Sequence, residues 1–271
     1  MLLIHHSNSL TKLTKILLQK LQSDNSSVLE AEHILVQNPG MKRWLQQQIS
    51  LSCGIAANLH FPLPSRFIWD IFLTQFKDID SLSAFDGEVL RWQLMSLLHQ
   101  HRDDPQLIVL KNYLADEKKI LNRFQLAEKL TGLFDQYLVY RPKMIKQWES
   151  GSQTNSSTEA WQAYLWRLIR AQTKQPHRAD LITRLVQHLS SSEADLTELP
   201  DRLFIFAITA MSPLYLNVLA ALGQHIEVHI FNLNPCEHYW GDIQSRKEQL
   251  KQGENLYIEN ELLASLGKQG R

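Results

Sequence analysis

Cysteine is almost missing from this 271-residue chain: Cys53 and Cys236 are the only two, and neither belongs to a C-x-x-C pair. A disulfide framework and a thiolate zinc site are thereby excluded. No charge of one sign prevails either. The 28 Lys+Arg and 28 Asp+Glu cancel, which excludes a strongly basic coat or an acidic tail but not a locally basic channel. No run of about 18 apolar residues, the length of a membrane span, occurs. The start, MLLIHHSNSL, lacks the basic region of a secretory leader, so the cytoplasm is the expected compartment. Glycine is sparse, and the first is Gly40. What remains, 44% hydrophobic and 21% charged residues, is the composition of an ordinary globular protein.

Strand and helix patterns alternate at both ends of the chain. Leu2-Leu3-Ile4 reads as a buried strand. A helix follows, with Ser9 as its cap and Leu10, Leu13, Ile16, Leu17 and Leu21 as its apolar stripe. Ser23 to Ser27 reads as a polar turn and Ile34-Leu35-Val36 as a second strand. Asn38 and Pro39 suit the cap and first position of a helix that stops before Gly54. From about Phe61 to Leu199 strand signals vanish. RFIWDIFLTQF, GEVLRWQLMSLLHQ capped by Asp86, a long helix from Glu117 to Tyr140 ended by Pro142, and helices from Thr158 and Arg178 succeed one another. Leu203 to Ala207, LYLNVLAAL and Ile226 to Phe231 then return to strand, helix, strand. The predicted fold class is α/β with a parallel sheet. Residues 1–57 and 199–271 supply the core, and residues 58–198 form a large all-helical insertion.

A helix after the first strand invites a nucleotide site, but the residues for one are missing. No G-x-x-x-x-G-K-[ST] and no G-x-G-x-x-G occurs, so no glycine loop is available to bring backbone amides onto phosphates. The third expected strand ends in Ala207-Ile208-Thr209-Ala210, without the carboxylate that would hold magnesium. His225, Glu227 and His229 alternate on one strand, an awkward zinc set, and read as a partly exposed strand face. Cys236 and His238, with Glu237 between them, make a weak pair on a loop. No catalytic residue, metal ligand, cofactor or small-molecule substrate is expected.

Binding chemistry is better represented. Trp69 shares a helix with Phe72, Leu73 and Phe76, which reads either as core packing or as a stacking platform for bases. Gln37, Asn38, Arg43 and Gln46 to Gln48 surround the second strand–helix junction. In a parallel sheet that junction faces the ligand crevice, so these groups read either as base and phosphate partners or as a solvated helix start. Arg141 and Arg178 are candidate phosphate partners.

The segments HHSNSL, ILVQNPGMKRWLQ, GIAANLHFPLPSRFIWDIF, LFDQYLVYRP and HIEVHIFNLNPCEHYWGDI together resemble the amino-terminal part of the RecC family, the gamma subunit of exodeoxyribonuclease V, the RecBCD helicase–nuclease. The resemblance runs in order along essentially the whole chain. The family is longer, and SLGKQGR looks like a cut inside a longer protein. The resemblance implies an inactive superfamily-one helicase-like core, related to P-loop NTPases but without a motor. It also implies a channel for single-stranded DNA that helps recognise the Chi octamer during recombinational repair, and RecB and RecD as partner subunits. By motif, Gln37 matches a base-contacting Gln, Leu63 and Trp69 match apolar and stacking contacts, and Leu133, Asp135, Arg141 and Arg178 match further strand contacts. Pro39 stands where the family leads us to expect a small hydroxyl residue, and Arg43 where it leads us to expect Gln. A different class of function, a protein–protein scaffold that touches only sister subunits, predicts instead that Trp69 and Gln37 are dispensable for strand recognition.

Overall fold

The computed structural model describes residues 1–23, 30–114, 120–152, 154, 156–191, 194–236, 240, 242–244, 246–252 and 260–266. The polar turn expected at Ser23 to Ser27 lies largely outside them, as do the first residues of the helix expected from Glu117 and the Glu237–His238 pair. The chain divides into two compact units.

The first unit comprises residues 1–71, 195–211 and 215–271 and is built on a five-stranded sheet. Its strands are β1 (Leu2–Ser7), β2 (Glu32–Leu35), β3 (Leu59–His60), β4 (Arg202–Phe206) and β5 (Glu227–Leu233). They lie in the order β1-β5-β4-β2-β3, and every pairing is parallel. Helices α1 (Leu10–Gln22) and α2 (Pro39–Cys53) follow β1 and β2. These two crossovers travel towards β3, whereas the β4–β5 crossover travels the other way. Right-handed connections therefore put α1 and α2 on one face and the crossover helix of β4–β5 on the opposite face. A parallel sheet buried on both faces calls for continuous apolar runs, and β4, Arg-Leu-Phe-Ile-Phe, is buried from Leu203 to Phe206.

On the face under α1 and α2, Leu13, Leu17, Leu45 and Ile49 pack with Ile34, Val36, Phe204, Phe206 and Phe231. The caps follow the sequence. Ser9 Oγ accepts the Lys12 N–H and Asn38 Oδ1 the Met41 N–H, with Pro39 at the first helical position; Gly54 closes α2 at φ +80°, a left-handed conformation that a glycine adopts without steric cost. At the amino ends of the strands Arg202 forks onto the Glu32 carboxylate and donates to the carbonyls of Lys20 and Ser23, tying α1 to β2 and β4.

Three expectations change. β1 is an edge strand, so Leu2 and Ile4 are exposed instead of buried. Leu59–His60 forms a strand that two residues are too short to announce. His229 is not on an exposed face: it is 1% exposed, stacked on His5 and Phe204, while Glu227 and His225 lie outside the core.

The second unit comprises residues 72–194 and 212–214. α3 (Pro64–Gln75) and α10 (Pro213–Leu222) each run across a boundary. α4 (Gly87–Gln100), α5 (Lys111–Leu114), α6 (Ile120–Tyr140), α7 (Pro142–Glu149), α8 (Ser157–Gln172) and α9 (Arg178–Leu189) make its body, after a 3-10 turn over Pro105–Leu110. Two short helices, α11 (Arg246–Gln252) and α12 (Glu261–Leu266), end the chain in the first unit. Asp86 and Ser156 cap α4 and α8. Pro142 ends α6 as expected and also opens α7, where a proline at the first position costs no hydrogen bond. The core of this unit centres on Leu94, Leu97, Phe134, Trp148 and Trp166. Among the described residues no helix is long and apolar enough to cross a membrane.

Burial, reinforced by the facing ring, lowers the pKa of His5 and of His33 below the usual histidine value, and burial lowers that of His229. The unfolded chain takes up protons near pH 6.5 while these folded-state rings resist them. Their contribution is therefore complete above that pH and is lost as pH falls below it. Urea unfolding at pH 7.5 and 5.5 is expected to give a lower midpoint at the acid pH, and His229→Phe is expected to shrink the difference.

Candidate nucleic-acid interface

In the first unit the functional candidates gather where β2 and β3 end. Both strands are parallel neighbours, so their carboxyl ends open on the same edge of the sheet. Val36 N–H donates to Pro62 C=O at 3.3 Å, stitching the β2–α2 junction to the segment that enters α3. Gln37 is exposed immediately before the Asn38 cap. Pro39 and Arg43, four residues apart, are both exposed on one side of α2. Leu63 is 44% exposed, and its carbonyl accepts the Phe67 N–H at 3.0 Å as α3 begins. Gln37, Pro39, Arg43 and Leu63 thus share one end of the sheet.

Trp69 lies farther along α3. That helix buries Phe67, Ile68, Ile71 and Phe72, whereas Trp69 and Leu73 are only half-buried. Trp69 thus stands beside the buried stripe of α3, with part of the residue open to solvent.

In the second unit the candidates cluster on α6 and the starts of α7 and α9. Leu133 packs half-buried against the helical core. Arg178 Nη1 donates to Asp135 Oδ1 at 3.0 Å, and the two side chains retain 30% and 50% exposure. Arg141 is exposed at the α6–α7 junction, with its guanidinium 5.8 Å from the Tyr137 ring centroid. Asp135 and Arg178, 43 residues apart in the chain, are the pair of candidates that side-chain contact brings together.

Sequence reasoning missed the polar cluster behind Arg178. Glu149, His177 and Asp180 converge there, from the end of α7 and the start of α9. Glu149 also accepts from the Trp166 indole at 3.0 Å and forms an ion pair with Arg170 Nε at 2.9 Å. Burial pushes the Glu149 carboxyl up, but His177, Trp166 and Arg170 outweigh it and hold it below the usual carboxylate value. The 27 positions between Glu149 and His177 include a Ser/Asn-rich loop and all of α8, so spacing carries no signal of the contact.

The β1–α1 junction has its amides engaged internally. Ser7 Oγ accepts the Ser9 N–H at 3.2 Å and Ser9 Oγ the Lys12 N–H at 3.4 Å. At the end of β4, Ala207 takes a positive φ of 50° and donates its N–H to the Phe231 carbonyl at 2.9 Å.

An exposed arginine that meets a phosphate reveals itself through salt. Arg141→Ala is expected to weaken oligonucleotide binding by the full-length, assembled protein, and to lower the slope of log K against log salt by about 0.7 for a single strand. An unchanged slope would take Arg141 off the backbone path.

The family model described as "RecC, N-terminal domain" matches residues 2–271. The RecBCD enzyme subunit RecC of Escherichia coli is 42% identical over 90% of this chain and 22% of its own length. That of Haemophilus influenzae is 32% identical over 100% of this chain and 30% of its own. That of Mycolicibacterium smegmatis is 28% identical over 88% and 22%. The chain spans less than a third of the length of these relatives. Their sequences follow it through both the sheet and the helical unit, and the chain belongs to the RecC family.

Proposed function

We propose that this chain is the amino-terminal part of a non-catalytic subunit of a RecBCD-type helicase–nuclease, and that it holds a single DNA strand and helps recognise the Chi octamer. In this reading residues 1–57 and 199–271 form an inactivated helicase-like core, residues 58–198 are its helical insertion, and RecB- and RecD-type subunits complete the enzyme in the cytoplasm.

One observation carries the reading: Gln37, Pro39, Arg43 and Leu63 are gathered at the carboxyl end of neighbouring parallel strands, where open α/β sheets take their ligands. Gln and Arg suit base edges and phosphates there, and Leu63 offers an apolar contact. Trp69 supplies a half-buried ring for stacking. The helical unit, taken by itself, offers Leu133, Asp135, Arg141 and Arg178 as further strand contacts.

The motor positions support an idle core. The β1–α1 turn, His6-Ser7-Asn8-Ser9, holds no glycine, spends the Ser9 amide on Ser7 Oγ and turns Ser9 Oγ onto the Lys12 amide of α1, so it offers a phosphate little. The turn after β4 has no carboxylate for magnesium. Such a core positions a strand that other subunits move.

Pro39 and Arg43 set the specificity test. Proline has no hydroxyl to donate, and Arg pairs best with guanine where Gln pairs with adenine. On a panel of octamers, the complete enzyme is expected to attenuate its nuclease at a sequence other than the family's best-known one, or to respond to that one more weakly. The double variant Pro39→Ser/Arg43→Gln is expected to move the preference towards that sequence. Trp69→Ala is expected to abolish the response while assembly survives. A preference indifferent to all three substitutions would contradict strand reading by this region.

A further inference from the structure

His177 is fully buried immediately before Arg178, and nothing in the strand-binding reading uses it. Its ring lies between Phe85 and Trp166, with centroids at 5.8 Å from each. Nδ1 accepts the Asp180 N–H at 3.2 Å and so caps α9 from within the core. An accepting Nδ1 leaves the ring proton on Nε2. Nε2 sits 3.2 Å from Glu149 Oε1 and 3.3 Å from Asp180 Oδ2, between two carboxylates and aligned with neither for a hydrogen bond.

A divalent cation is the first candidate for such a set, since the three ligand atoms lie within 4.8 Å of one another. The chemistry does not fit. A metal needs the Nε2 lone pair, which the capping bond has assigned to a proton, and Arg170 already places a positive charge 2.9 Å from Glu149 Oε1.

The cluster does something else. Glu149 ends α7, a helix that begins beside Arg141. Through Trp166 and Arg170 it grips α8, and through His177 it faces the first turn of α9. Arg170 also donates to the Gln175 carbonyl at 2.7 Å, fixing the connection that leads into His177. Arg178 is the first residue of α9, so its backbone position is set by the cap one residue earlier. Its guanidinium, by contrast, is partly exposed and is held by Asp135.

We infer that His177, backed by Glu149, is a positioning residue for Arg178: the buried ring fixes the first turn of α9 so that the guanidinium meets the DNA strand from a preset place. This rests on the proposal that Arg178 contacts the strand. A preset arginine loses less freedom on binding than one on a fraying turn, so the effect of His177 on binding must act through Arg178 and vanish without it.

The test is a double-mutant cycle on the full-length chain assembled with its partner subunits, with single-stranded oligo-dT as the probe. Arg178→Ala is expected to weaken binding roughly tenfold. His177→Ala is expected to weaken it severalfold, and the double variant to bind no more weakly than Arg178→Ala alone. His177→Asn keeps a capping oxygen but not the ring; it is expected to recover most of the affinity while its melting temperature stays below that of the parent. That split separates positioning from a general loss of stability, and it stays readable if the alanine variant fails to fold. Unchanged binding by Arg178→Ala would overturn the strand contact itself, and the inference with it. A normal loss for Arg178→Ala, with losses that multiply in the double variant or an unaffected His177→Ala, would overturn positioning alone.

Discussion

The first unit depends on one strand. β4 is hydrogen-bonded to β5 on one side and β2 on the other, and Leu203, Phe204, Ile205 and Phe206 are buried. A strand apolar on both faces is stable only when helices cover both. Parallel pairing then requires each connection to cross over the sheet, which delivers every loop that follows a strand to the same end. The Gln37 and Leu63 junctions lie side by side because β2 and β3 are adjacent parallel strands, and the Val36 N–H to Pro62 C=O bond carries that pairing into the two loops. Replacing Phe204 by alanine would remove about 3–5 kcal/mol and, with the sheet, the common end on which the binding groups stand.

The helical unit reaches a comparable result by other means. Its partly buried polar centre holds specific pairs: Glu149 takes the Trp166 indole and the Arg170 charge, Trp148 gives its indole N–H to Glu159 at 2.8 Å, and Tyr137 gives its hydroxyl to Gln162 at 3.0 Å. Such bonds are directional where leucine contacts are not, so they fix how α6, α7 and α8 are rotated against one another, and the Arg178–Asp135 pair ties α9 to α6. Leu133, Asp135, Arg141 and Arg178 lie on these helices or the junctions between them. Precision at the surface thus follows from directional pairs underneath it.

Much of the fold was legible because it is written locally. Ser9, Asn38-Pro39, Gly54, Asp86 and the start of α9 at Arg178 announce helix ends through hydrogen bonds within four residues. The parallel α/β class follows from strands alternating with helices. What escaped was set at long range or was too short to pattern. β3 has two residues, and its partner is β2, 27 positions away in register. The exposure of Leu2 and Ile4 depends on β1 lying at an edge, which no property of Leu-Leu-Ile encodes. His229 reads as polar in sequence but is covered by His5 and Phe204 from two other strands. For the site, motifs named the individual residues, whereas the Arg178–Asp135 contact and the Glu149–His177 cluster are properties of helix packing alone.

The most direct test asks which end of the sheet meets the strand. A photoreactive amino acid is placed in the complete, assembled protein at position 37, at position 63, or at position 201, which precedes β4 at the opposite end. Each variant is illuminated with a bound single-stranded oligonucleotide. The account predicts covalent adducts from positions 37 and 63 and none from 201. Adducts from 201 alone, or none from 37 and 63 while binding persists, would contradict it.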